Sequence, residues 1–256
     1  MQKKILGRTL SPKTSDLVSS MEATFRFPVE YYSISAMPNK SRDAHGTVDP
    51  FGSNGQYKVW LSLNLTDERF EANLLHELTH IVQIEQGYPC VCNKDSADYH
   101  SPDRSFVESL GSRLGSAVLD VDVQERLLED GYSNCEFAEE NAAGLIGNSD
   151  HDYTRLDDPL NYAIFVTSLL LTASLIGEAT REDLYAAYNR YPSVVNDVRF
   201  LYDEMRRIGA STPERAAASL GAIIDRLSLW PHYFIHLKGR RIRTRNEYLA
   251  FLQECN

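Results

Sequence analysis

The sequence predicts an α+β fold, with a small sheet and two helices in residues 1–158 and an all-helical region in residues 159–256. Three observations predict it. Residues 57–65 alternate between apolar and polar with the two-residue period of a strand. Residues 67–86 and 104–119 carry apolar residues at spacings of three and four, the period of a helix. From about residue 159 onward the segments are helical, which predicts a second domain there.

The predicted strand leads directly into the first long helix. Val59, Leu61, Leu63 and Leu65 fall on one side of the strand, and the turn residues Ser53-Asn54-Gly55 precede it. The same pattern would suit a purely structural strand. It therefore supports the fold without indicating a function.

The helix after the strand has clear start and stop signals. Thr66 can cap it, Asp67 and Glu68 place negative charge in its first turn, and Gly87 ends it. Its apolar stripe is predicted to pack on a core and consists of Phe70, Leu74, Leu78, Ile81 and Val82.

This helix contains the sequence His76-Glu77-Leu78-Thr79-His80, an H-E-x-x-H motif. Residues four apart lie one turn apart on the same helix face, so His76 and His80 can converge on one metal ion. In zinc enzymes with this motif, the glutamate takes the proton from the attacking water. The motif predicts a zinc site with Glu77 as general base. The alternative is an amphipathic helix with two ordinary histidines.

A catalytic zinc ion usually has three protein ligands, so a further ligand is expected downstream. Glu108 is the first choice because Gly111, Ser112 and Gly115 share its helix face and would allow close approach to the metal-bearing helix. The weaker candidates are Asp103, Asp120, Asp122, His100, and the pair His151 and Asp152. A donor for the developing oxyanion could come from Tyr99, His100, Tyr132, His151 or Tyr153.

The strand, the H-E-L-T-H helix and the helix bearing Glu108 resemble the ImmA/IrrE family of bacterial zinc metallopeptidases, over roughly residues 20 to 130. The resemblance implies a zincin-like (gluzincin) fold, zinc ligands at His76, His80 and Glu108, and catalysis by Glu77. It also implies a regulatory protease that cleaves a helix-turn-helix repressor, in a stress response or in a phage-defence system of the CBASS type. The end of the chain departs from the family, since it does not match the DNA-binding or sensor domain that some relatives carry.

Two cysteines, Cys90 and Cys92, follow the metal helix in a segment predicted to be a flexible loop. A thiolate is a strong zinc ligand, so either cysteine could take the fourth zinc position and hold the enzyme inactive. Such a cysteine switch is also reasonable by resemblance to defence-associated peptidases. The alternative is that both are small buried residues without a role.

Charge and hydropathy indicate a cytoplasmic protein. The N-terminal basic residues have no apolar segment after them, and the uncharged run Pro159 to Gly177 carries enough polar residues to suggest a buried helix rather than a membrane span. Residues 94–158 contain 16 acidic and 5 basic side chains, which accounts for essentially the whole net charge of −10. Such a surface would favour a basic substrate or simply maintain solubility.

The C-terminal region is predicted to contain helices capped at Thr180 and Thr212, with Gly209 ending another. It ends in a basic segment next to aromatic residues, comprising Lys238, Arg240, Arg241, Arg243 and Arg245. Cations beside aromatic rings can bind single-stranded DNA, a candidate activator. The alternatives are a solvated surface, or a non-catalytic zinc-containing regulator that binds nucleic acid.

Overall fold

The computed structural model describes residues 2–37, 46–49, 55–94, 101–133, 135–151 and 155–255, without the side chains of residues 49 and 101–105. The chain has an α+β fold, as predicted. It divides into two compact units. The first comprises Met1–Gln86 and Val123–Asn134, and the second comprises Gly87–Asp122 and Cys135–Asn256.

These units differ from the predicted division at residue 158. The segment after Gln86 belongs to the second unit because Cys90–Asn93 pairs with a strand near the C-terminus. Strand pairing between distant segments has no local sequence signal, so a division based on local patterns does not include it.

The first unit contains five strands, two helices and one 3₁₀ turn among its described residues. They are β1 (Lys4–Ile5), β2 (Arg8–Thr9), α1 (Pro12–Thr24), β3 (Val29–Ser33), the 3₁₀ turn Ile34–Ala36, β4 (Gly46–Asp49), β5 (Tyr57–Leu61) and α2 (Asp67–Gln86). Helix α3 (Ser101–Glu129) begins in the second unit, and its last residues belong to the first.

The second unit is mainly helical in its described part and includes a three-stranded sheet. Its other elements are β6 (Cys90–Asn93), α4 (Cys135–Gly147), α5 (Pro159–Leu175), α6 (Glu178–Ala187), α7 (Pro192–Ile208), α8 (Pro213–Arg226), β7 (Tyr233–Leu237), β8 (Arg240–Ile242) and α9 (Arg245–Cys255). The C-terminal region is therefore not all-helical, since β7 and β8 form an antiparallel hairpin there.

The sheet of the first unit has the order β3-β5-β4, with β3 parallel and β4 antiparallel to the central strand β5. The predicted strand begins at Tyr57 but ends at Leu61. The chain bends over the next residues, where the Asn64 amide donates to the Ser62 hydroxyl, and Leu63 is exposed rather than buried.

Helix α2 has the predicted bounds and the predicted buried face. The Thr66 hydroxyl accepts a hydrogen bond from the Arg69 amide, and Gly87 follows the helix with a φ of +80° that suits glycine. Phe70, Leu74, Leu78 and Ile81 are each at most 1 % exposed and share a core with Val59 and Leu61 of β5, whereas Val82 is only half-buried.

A buried carboxylate anchors α1 to α2. Glu71 of α2 accepts hydrogen bonds from the backbone amide and the hydroxyl of Ser11, and from the Thr14 hydroxyl. Ser11 is also the N-cap of α1. One carboxylate therefore stabilises both the start of α1 and its position against α2.

Helix α3 has the predicted apolar face but is longer than predicted. Val107, Leu110, Leu114 and Val118 are all buried. The predicted role of the small residues was wrong at Gly111, because a Cβ there would lie 3.1 Å from Asn93 Oδ1 and 3.2 Å from Tyr233 Cε1. Gly111 therefore allows close approach to the β6-β7 pair within the second unit.

Two predicted helix ends are confirmed in the second unit, and one predicted helix cap is wrong. Thr212 caps α8, accepting from the Arg215 amide, and Gly209 ends α7 with a φ of +82°. The predicted cap Thr180 instead lies inside α6, whose N-cap is Gly177. Of the described helices, α5 included, none is long and apolar enough to cross a membrane.

Two helix glycines of the second unit allow a matched test of packing. A Cβ added at Gly221 in α8 would lie 2.2 Å from the ring of the buried Tyr248, whereas one added at Gly144 in α4 meets nothing within 4 Å. Gly221→Ala should lower the free energy of unfolding by about 2–3 kcal/mol. Gly144→Ala should raise it by about 0.5–1 kcal/mol. Denaturant unfolding of both variants measures this, and equal effects would contradict the described packing.

Candidate metal centre

Helix α2 brings the two motif histidines together in the first unit. The Nε2 atoms of His76 and His80 are 3.1 Å apart, and their rings are nearly perpendicular at 84°. Two nitrogens bound to one tetrahedral zinc at about 2.05 Å would be about 3.4 Å apart. The pair therefore fits a shared zinc ion after a small adjustment.

Gln83 determines which nitrogen of His80 faces the shared position. Its side-chain oxygen lies 2.9 Å from His80 Nδ1, and Gln83 is only 1 % exposed. An amide oxygen accepts a hydrogen bond from Nδ1–H, which leaves Nε2 with a lone pair available for a metal. Gln83 was not predicted, although its spacing of three from His80 placed it on the same helix face.

The side chain of Glu77 lies close to β4, an edge strand of the sheet in the first unit. Its side chain is 5 % exposed, and a Cβ added at Gly46 of β4 would lie 2.6 Å from Glu77 Oε1 and 2.7 Å from Asn73 Nδ2. The backbone of β4 therefore passes so closely that a Cβ at position 46 would require the side chains of Glu77 and Asn73 to shift. A buried carboxylate beside two imidazoles and an edge strand suits general-base chemistry on an extended peptide.

The predicted third ligands lie in a different unit from the two histidines. Glu108 is exposed on α3, Asp120 is half-buried, and Asp122 is 3 % exposed, all in the part of α3 that belongs to the second unit. His151 is exposed at the end of a turn. His100, Asp152 and the side chain of Asp103 lie outside the described residues.

Of the predicted oxyanion donors, Tyr132 belongs to the first unit. Its hydroxyl lies 2.8 Å from the Thr14 hydroxyl, within the hydrogen-bond group that joins α1 to α2. This contact gives Tyr132 a structural role. Tyr99, His100 and Tyr153 lie outside the described residues.

Cys90 and Cys92 lie on a paired strand of the second unit, and the predicted flexible loop was wrong for them. Their Sγ atoms are 3.6 Å apart, and Cys90 stands opposite His236 of β7. A hydrogen bond from the Cys92 thiol, with a smaller contribution from His236, lowers the pKa of Cys90 to about 6. The same pairing, together with burial, raises the pKa of Cys92.

The basic segment is partly neutralised by acidic partners within the second unit. Arg240 forms an ion pair with Glu254, and Arg245 forms one with Asp225. Lys238 is exposed. The guanidinium groups of Arg241 and Arg243 lie about 6 Å from the ring of Phe234. The segment therefore presents fewer unpaired charges to a nucleic acid than its sequence suggested.

The chain was compared with known proteins. No protein-family profile, curated protein or solved structure matches it significantly.

The contact between Gln83 and His80 predicts a measurable effect on zinc affinity. Replacing Gln83 by Leu removes the acceptor that orients His80 while nearly conserving side-chain volume. Zinc affinity should fall about 10–100-fold. The matched control is Gln86→Leu at an exposed position of the same helix. Zinc competition with a chelating dye measures both, and equal affinities in the two variants would contradict the assigned role.

Proposed function

We propose that this chain is a zinc-dependent endopeptidase in which His76 and His80 bind the metal and Glu77 is the general base. The observation that carries the proposal is the 3.1 Å separation of the two imidazole Nε2 atoms on one helix, next to a buried glutamate. A pair of ordinary surface histidines would not need the buried Gln83 partner. The resemblance to the ImmA/IrrE peptidases supports the same conclusion, including their zincin-like fold.

By resemblance to the ImmA/IrrE peptidases, we further propose that Glu108 of α3 supplies the third ligand. Glu108 is exposed, as a residue that receives a metal and its substrate can be. Asp120 and Asp122 of the same helix are the alternative carboxylates.

Zinc in such a site would supply Lewis-acid activation of water and of a peptide carbonyl. The residues of the chain then have separate tasks. Gln83 orients His80, and Glu77 accepts the proton of the attacking water and can return it to the leaving amine. Because Glu77 is buried, its carboxylate is held in place and is poorly screened from the reacting groups.

The proposed substrate is an extended segment of another protein. Strand β4 is an edge of its sheet and passes directly by Glu77, so a peptide added to this edge would run beside the general base. By resemblance, the proposed substrate is a helix-turn-helix repressor, which places the enzyme in a stress or phage-defence pathway. The basic DNA-binding surface of such a repressor would suit the acidic residues 94–158.

We also propose that single-stranded nucleic acid activates the protein, and one observation supports this. Arg241 and Arg243 lie close to the ring of Phe234 in the second unit. The two cations could bind a phosphate while the ring stacks on a base. Cys90 and Cys92 belong to a hydrogen-bonded strand, so we do not propose them as inhibitory ligands of the site on α2.

Glu77→Gln tests the proposed chemistry. The amide keeps the size of the carboxylate but cannot accept the proton, so cleavage should fall at least about 100-fold while zinc remains bound. The control is Glu68→Gln at an exposed position in the first turn of the same helix. Mass spectrometry detects the new N-termini that cleavage produces in a peptide library. Elemental analysis measures the bound zinc. Full activity of Glu77→Gln would exclude Glu77 as the base.

The choice of third ligand is tested by two isosteric variants. Glu108→Gln should lower zinc affinity more than about 10–100-fold, which is the loss expected for an outer hydrogen-bond partner. Asp120→Asn should leave the affinity unchanged. Zinc titration of each purified variant measures both values. The reverse ranking would make Asp120 the ligand in place of Glu108.

A further inference from the structure

The sheet of the second unit has a chemically distinct outer face. Side chains along a strand alternate between the two faces of a sheet, and on β7 Tyr233, Ile235 and Leu237 are buried. Phe234 and His236 therefore face the other way, and His236 is exposed. On β6, Cys90 and Cys92 are two residues apart and share one face. Their cross-strand partners are His236 and Phe234.

We propose that Cys90, Cys92 and His236 form a second zinc site, separate from the one on α2. The three ligand atoms lie within 4.8 Å of one another. Two thiolates bound to one tetrahedral zinc at about 2.3 Å would be about 3.8 Å apart, and the observed Sγ···Sγ distance is 3.6 Å. The strand pairing therefore brings two sulfur ligands and one nitrogen ligand to the spacing that zinc requires.

The donor set selects the metal class. Two thiolates with one imidazole are soft and borderline ligands that favour zinc over calcium or magnesium, which prefer oxygen. Two thiolates also neutralise the double charge of the ion. Arg241 stands opposite His236 on β8, and its positive charge weakens the attraction of this group for a cation.

The expected consequence of zinc at this site is a cross-link between β6 and β7. These strands are far apart in the sequence, and the sheet that joins them lies against α3 at Gly111. Zinc that binds only the folded state stabilises it. With zinc about 100-fold above its Kd, the melting temperature should rise on the order of 5 °C. Because His236 is exposed, the ion can enter after folding and retains a solvent-facing fourth position.

The test counts zinc in the full chain under reducing conditions. The double variant His76→Asn/His80→Asn lacks the site on α2, and we expect it to retain one zinc ion. A quadruple variant that also carries Cys90→Ser and Cys92→Ser should bind no zinc. Cobalt substitution should give a thiolate-to-metal charge-transfer band that is lost with the two cysteines and altered by His236→Ala. The matched control, Cys135→Ser/Cys255→Ser, should change neither the zinc count nor the band.

A second measurement needs no variant and so does not depend on variant folding. Zinc should protect Cys90 and Cys92 of the wild-type chain from alkylation, while the exposed Cys255 reacts equally with and without zinc. Equal alkylation of Cys90 and Cys92 with and without zinc would overturn the proposal, as would a zinc count unaffected by their replacement. Failure of the peptidase proposal gives a different result, because loss of His76 and His80 would then leave the zinc count unchanged.

Discussion

The buried face of α2 determines where the imidazoles of His76 and His80 lie. Leu74, Leu78 and Ile81 hold the helix against the sheet, and the helical pitch then leaves both histidines on an adjacent face. A rotation of α2 by one residue, about 100°, would bury the histidines and expose the leucines. The same packing that stabilises the first unit therefore also orients its candidate metal ligands.

Polar contacts also hold the elements and side chains of the first unit in position. Glu71 fixes α1 against α2, and Gln83 fixes the ring of His80. Gly46 allows β4 to pass close to Glu77. Together, these contacts place Glu77, the histidine pair and a strand edge in one small region. Preorganisation of this kind is what the proposed chemistry would require.

The two candidate metal groups arise from different geometries, and this explains how well the sequence predicted each. His76 and His80 come from a four-residue spacing on one helix, so local periodicity predicted both the helix and the pair. The group of Cys90, Cys92 and His236 depends on pairing between distant strands, and no local pattern reveals such pairing. The role of Gly111 was wrong for the same reason, since its neighbour Tyr233 lies on β7.

Anomalous X-ray diffraction at the zinc edge, from crystals of the full chain grown with zinc, tests metal binding by the two histidines directly. We predict an anomalous peak at about 2.0–2.1 Å from the Nε2 atoms of both His76 and His80. Density in which the two imidazoles contact only each other and protein atoms, at saturating zinc, would contradict the metal site and the chemistry built on it.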